Sequence, residues 1–145
     1  MKKILSFMLI AGALVSCKKE NAPTPPPTCA VTEATIPGTY KITAIKYKAS
    51  ATSTETDQMN NLADCQKDDT YTFATDGSII LNDVGISCGL PPMPGDAWSL
   101  PNGSTNLRLG DEVFTVESFD CSKLVISKAD VLVAGDKETR TYVKQ

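Results

Sequence analysis

The chain has 145 residues, the size of one domain, with 14 basic against 17 acidic side chains and a net charge of −3. It has no histidine, which removes the commonest zinc partner. No basic stripe or cluster follows Lys18-Lys19, so nothing favours nucleic acid as a partner.

The opening is a targeting segment, to be set aside before the fold is considered. Met1-Lys2-Lys3 is a basic start, and residues 4–15 form an apolar run interrupted only by Ser6 and Gly12. That run is too short to span a ~30 Å hydrocarbon core comfortably, and Lys18-Lys19 follow at once. A signal peptide over residues 1–16 fits better than a transmembrane helix. The run ends Leu14-Val15-Ser16-Cys17, which resembles the bacterial lipobox: an aliphatic residue, a tolerant position, a small residue and the cysteine. The small residue suits a narrow peptidase site, and the thiol is the nucleophile that takes up diacylglycerol. Cys17 is therefore expected to be the lipidated first residue of the mature protein, held at a membrane by several acyl chains such as palmitate. An ordinary signal peptide with an accidental Cys17 is the bland alternative. The coincidence of basic start, apolar run and box weighs against it.

Residues 17–28 carry four prolines and no apolar periodicity. Proline fixes φ and removes backbone donors, so an extended, semi-rigid tether is expected. Residues 29–145 then form the folded domain.

From residue 37 onward, period-two patterns and turn signals predominate. Residues 39–47 are a strand, with Tyr40, Ile42 and Ala44 on one face and a shift at Ala44-Ile45 that marks a bulge. Residues 56–63 suit either a short helix capped by Thr56 or a long loop carrying one helical turn. Residues 70–74 and 78–84 flank Thr75-Asp76-Gly77 as a hairpin. A three-residue loop places Tyr71 opposite Leu81 and Phe73 opposite Ile79, gathering the large side chains on one face, so this register is preferred. Asp68-Asp69, just before the hairpin, are expected to be solvated turn residues. Residues 89–96, with three prolines, are expected to be loop. Short strands follow at 97–100, 105–109, 112–119, 123–128 and 139–144; residues 129–135 either extend a strand or turn. About eight short antiparallel strands suit a meander packed as a sandwich or closed as a barrel. Closure is preferred because it leaves no exposed edge.

With Cys17 assigned to lipid, Cys29, Cys65, Cys88 and Cys121 remain, an even number that implies two disulfides in an exported chain. The hairpin brings Cys65 and Cys88 opposite each other or one step apart at its open end. The expected bridges are therefore Cys65–Cys88 and, by elimination, Cys29–Cys121.

Gly38-Thr39-Tyr40-Lys41-Ile42 is similar to the Gly-x-Trp opening of lipocalin-type barrels, with tyrosine in place of tryptophan. Cys65, Asp68-Asp69, Tyr71, Phe73, Asp76-Gly77, Cys88 and Ala97-Trp98-Ser99-Leu100 follow in an order that resembles the lipocalin-like domain of Gram-negative outer-membrane lipoproteins. The resemblance covers roughly residues 36–145. It implies an all-β, up-and-down barrel, pairing of Cys65 with Cys88, and an outer-membrane location facing the periplasm or the cell surface.

An eight-stranded barrel has an interior just large enough for its own side chains or for one small ligand. Tyr40, Tyr71, Phe73, Trp98 and Phe114 are the candidates to line it; their bland role is to fill the core. The favoured reading is a non-catalytic binding module for a small hydrophobic ligand, without cofactor or metal. The alternative is an interaction or inhibitor domain that docks a protein partner through its long loops. No pattern of nucleophile and base suggests an enzyme. If Cys17 carries the anchor, Cys17→Ala is expected to abolish incorporation of labelled palmitate and to move the protein from the membrane to the soluble fraction of a bacterial lysate.

Overall fold

The computed structural model describes residues 29–89, 93–101, 103 and 105–145, the backbone alone being described over 93–96. The signal segment, Cys17, the tether and residues 90–92, 102 and 104 lie outside the described residues.

Nine strands follow one another: β1 (Gly38–Lys48), β2 (Thr56–Asp57), β3 (Thr70–Phe73), β4 (Ser78–Asn82), β5 (Met93–Ser99), β6 (Asn106–Leu109), β7 (Glu112–Phe119), β8 (Lys123–Ala129) and β9 (Lys137–Lys144). Every pairing is antiparallel. The two-residue β2 only flanks the far end of β1. The other eight run up and down in chain order, and β1 pairs with β9 to close them into a barrel. Closure pairs the last open edges with each other.

The β3–β4 hairpin adopts the expected register, with Tyr71 opposite Leu81 and Phe73 opposite Ile79. Its three-residue loop works because Gly77 takes φ +85°, a left-handed conformation that a side chain would strain. Asp76 Oδ1 accepts from the Ser78 amide at 2.9 Å and its hydroxyl at 2.7 Å. Trp98 locks the turn from outside the hairpin, donating its indole N–H to the Ala74 carbonyl at 2.8 Å.

Three local expectations change. The irregularity in β1 falls between Ile42 and Ala44, slightly earlier than the side-chain pattern suggests. Thr56 does not cap a helix, because Thr56 and Asp57 pair with Tyr47 and Lys46. The loop then carries one 3-10 turn, Met59–Asn61, and one helical turn, α1 (Asp64–Lys67), whose start is held by the Gln66 side chain accepting the Ala63 amide at 3.0 Å. Lastly, residues 89–96 are not all loop: β5 begins at Met93 and includes Pro94. The β4–β5 pairing is irregular between Ser78 and Ile80, and Pro94, opposite Ile80, stands at the edge of that irregularity. A proline without an N–H is tolerated where a ladder is already broken. Residues 130–136 form a turn rather than an extension of β8.

The lower part of the barrel is solid. Tyr40, Phe73, Phe114, Leu107, Leu124 and Ile126 are almost completely excluded from solvent, with Ile79, Trp98, Phe119 and Tyr142 packed among them. Phe73 is the hub of the aromatic group: its ring meets Tyr40 at 5.4 Å and Trp98 and Tyr142 at 6.1 Å, all edge-on. That arrangement satisfies the ring quadrupoles better than face-to-face stacking.

One end of the barrel is closed by the segment that enters from the N-terminus. Ile36 is fully buried and its carbonyl accepts the Tyr40 hydroxyl at 2.6 Å. The Cys29 amide donates to the Phe119 carbonyl at 2.9 Å, and a disulfide joins Cys29 to Cys121. The second disulfide, Cys65–Cys88, lies at the opposite end and ties α1 to the segment after β4. Both bridges follow the expected pairing.

Truncating the hub leaves a cavity that the surrounding strands cannot fill without bending. Phe73→Ala is expected to cost about 3–5 kcal/mol, read as a lower urea midpoint with an unchanged slope.

Candidate functional site

At the end away from Cys29 the barrel interior is open. A pocket of about 240 Å³ is lined by Ile42 and Ile45 of β1, Tyr71 of β3, Leu81 of β4 and Arg140 of β9, with Asp69, Leu62 and Gln66 at its rim. The walls follow from strand alternation. Tyr40, Ile42, Tyr71, Leu81 and Tyr142 stand opposite one another in the ladders, so they share the inward face. Two steps along β9 from buried Tyr142 stands Arg140, which is thereby directed inward as well.

Four of the five aromatic candidates do not line this pocket. Tyr40, Phe73, Trp98 and Phe114 are packed in the core below it. Tyr71 alone reaches the mouth, its ring edge-on to Tyr142 at 6.0 Å. Trp98 also borders a separate, polar recess at the closed end, beside Glu33 and Asp76.

Arg140 is the residue that sequence patterning alone did not bring forward. Its guanidinium lies 5.1 Å from the centre of the Phe114 ring, and its Nε donates to Glu138 at 2.6 Å. Burial alone would disfavour its charge, but Tyr142 and Glu138 outweigh that and move its pKa up. Burial pushes the Tyr142 phenol to about 12, so it stays protonated beside the guanidinium. The available signal was periodicity: if Tyr142 points inward, so do Arg140 and Glu138.

Asp69 overturns the expectation of a solvated turn residue. It is only 6% exposed. It sits one position before β3, where its carboxylate accepts the Val84 amide from the segment just after β4. The neighbouring Asp68 reaches the same segment, accepting the Ile86 amide at 2.7 Å. Gly85 makes this possible, because a side chain there would collide with the Asp68 carboxylate. The two acids therefore fasten the chain that follows β4, next to the Cys65–Cys88 bridge. The cost is visible at Asp68 Oδ1 and Asp69 Oδ1, two buried oxygens with no hydrogen-bond partner; such an acceptor typically costs about 1–3 kcal/mol. Burial raises the Asp69 pKa, the Val84 amide opposes this, and the nearby Asp83 and Asp68 charges raise it further. Tyr71 lies within the influence of both Asp69 and Arg140. Among the described residues no group of three or more acidic, cysteine or histidine side chains is placed to hold a metal ion.

Beyond the rim, Ile45 and Leu62 also border a shallower groove of about 400 Å³ with Tyr47, Val131, Leu132 and Glu138. Its outer wall is the 130–136 turn, organised by buried Asp136. That carboxylate accepts the amides of Val131, Leu132 and Val133 and the Tyr47 hydroxyl at 2.6–3.0 Å. The turn thereby holds Leu132 out in solvent, 76% exposed.

These features define a small, disulfide-linked, eight-stranded antiparallel barrel, plugged at one end and open at the other. No known family model matches the chain, and no curated protein or solved structure matches it.

Burial by itself raises the Asp136 pKa, but the three amides and the Tyr47 hydroxyl outweigh it and hold the group below the ordinary carboxylate range. A depressed folded-state pKa contributes stability that is complete above about pH 4 and is lost as pH falls through the folded value. Asp136→Asn is expected to lower the melting temperature at neutral pH, with the deficit shrinking as pH falls through the lowered folded-state pKa. A deficit that is constant across this range would mean that the charge of Asp136 contributes nothing.

Proposed function

We propose that this protein is a lipid-anchored, non-catalytic binding module that holds a small, largely apolar ligand in the open mouth of its barrel. The single observation that carries the reading is the mouth pocket: four aliphatic residues, Ile42, Ile45, Leu62 and Leu81, share one recess with Gln66, Asp69, Tyr71 and Arg140. Ligand sites are commonly built this way, with an apolar lining for affinity and sparse polar groups for orientation. The filled core below limits the ligand to the upper interior. The ligand is thus small, and the aromatic cluster acts as a rigid floor rather than as a lining.

The polypeptide geometry suits a tethered module. Cys29, which follows the proline-rich segment, is fastened at the closed end. The mouth therefore opens at the end opposite Cys29. The lipocalin-like resemblance of the sequence, from Gly38-Thr39-Tyr40 through Trp98, agrees with this use of a closed barrel. The outer membrane, on its periplasmic or surface side, is the location that follows from lipid on Cys17.

The alternative, protein docking through loops, draws on the same end of the molecule. Leu132 and Val133 project from the 130–136 turn, and Ile86 from the segment after β4, all more than half exposed. Clustered apolar exposure of this kind is one mark of an interaction surface.

The two readings separate experimentally. The chain carrying Cys17→Ala, exported and purified without detergent, is expected to give a saturable fluorescence rise with the neutral probe N-phenyl-1-naphthylamine. Leu81→Trp, which fills the pocket, is expected to remove that rise while leaving the far-ultraviolet circular dichroism unchanged. Probe binding that survives Leu81→Trp would place it outside the mouth and defeat the ligand reading.

A further inference from the structure

Resting on the lipid anchor at Cys17 proposed above, and not on the ligand, we infer that the 130–136 turn and Ile86 are lipid-contacting points that seat the mouth end of the barrel on a neutral bilayer surface.

Both points are held in place by carboxylates. Asp136 accepts the amides of Val131, Leu132 and Val133 at 2.6–3.0 Å, which fixes the turn with Leu132 76% and Val133 57% exposed. On the segment after β4, Asp68 accepts the Ile86 amide at 2.7 Å, and Ile86 is 62% exposed. The first segment joins β8 to β9 and the second follows β4, so both leave the barrel at its mouth end. Single exposed aliphatic residues are ordinary on a protein surface. Neighbouring ones fixed outward by a buried carboxylate mark a contact surface.

Three features favour lipid over protein as the cover. The tips are aliphatic, whereas protein hot spots are rich in Trp, Tyr and Arg and poor in Leu and Val. The lysines beside the turn are already paired within the domain, Lys128 with Glu112 and Lys137 with Glu117, so the surface offers little attraction to an anionic partner. The third feature is reach. Residues 17–28 extend to about 37 Å at polyproline II spacing. The 11 residues of β1 cover roughly 36 Å along the strand, or about 28 Å along the barrel axis at the usual tilt. A chain anchored at its closed end can therefore still lay its mouth end on the bilayer. Insertion of three side chains is weak by itself, since even one myristoyl chain binds only marginally. With Cys17 in the same membrane the contact is intramolecular, and a weak contact suffices.

The test uses the lipidated chain in phosphatidylcholine vesicles, with and without lipid dibrominated in its acyl chains. Leu132→Trp places a fluorescent reporter on the turn, and Ala34→Trp places one at an exposed position of the closed end. The unsubstituted chain, whose Trp98 is buried, supplies the baseline. On reconstitution the Leu132→Trp emission is expected to shift to the blue and to be quenched by brominated lipid, while Ala34→Trp shows neither change. Val133→Asp, added to Leu132→Trp, is expected to remove most of the quenching.

Equal quenching at both positions, or quenching of Ala34→Trp alone, would overturn the contact. So would a blue shift without quenching, which would assign the cover to a second copy of the chain. No change at either position, on a chain that floats with the vesicles, would overturn the contact and leave the anchor standing. A chain that does not float with them would overturn both.

Discussion

The seam between β1 and β9 is the contact on which the rest of the molecule depends. These strands lie near opposite ends of the chain, yet they pair from Tyr40↔Lys144 to Lys48↔Lys137. Without that ladder the sheet would present two long unpaired edges, a hazard for association with other chains. With it, the inward faces of eight strands become one enclosed volume. Phe73, Trp98 and Phe114 then bury each other across the interior, although they come from three well-separated hairpins. The seam is also where the polar interior originates, since Arg140 and Glu138 face inward only because β9 is held against β1.

Closure produces two unlike ends, and the difference has a covalent cause. At one end the entering chain, held by Cys29–Cys121, drives Ile36 into the core and receives the Tyr40 hydroxyl. At the other end the connections from β1 to β3 and from β4 to β5 are long, and the Cys65–Cys88 bridge ties those two together. Bridges that restrict the unfolded chain over 92 and 23 residues stabilise a small domain whose core alone is modest. The same bridges leave the mouth uncovered. A plugged floor and a free mouth suit the binding role proposed above.

The interior charges follow one logic. Buried Asp136 has its three amides and the Tyr47 phenol, and half-buried Arg140 has Glu138 and the Phe114 ring. Buried polar groups are stable only when satisfied in this way. Asp68 and Asp69 depart from the pattern, each with one buried oxygen that has no hydrogen-bond partner.

The sequence by itself determined a good deal. Asp76-Gly77 between alternating apolar residues dictated the hairpin and its register, and that register brought Cys65 to Cys88. An even set of cysteines, with Cys17 assigned to lipid, led to the second bridge. Local chemistry decided these features, because turn geometry and disulfide reach act over a few residues or through covalent bonds. Other features needed the tertiary structure. Pro94 reads as a strand breaker until the irregular β4–β5 ladder excuses it. Asp69 reads as a solvated turn residue until the Val84 amide just after β4 draws it in. Arg140 reads as one charge among several in a polar strand until the seam turns it over Phe114. Each of these outcomes depends on what stands opposite in space, and that is settled only when the barrel closes.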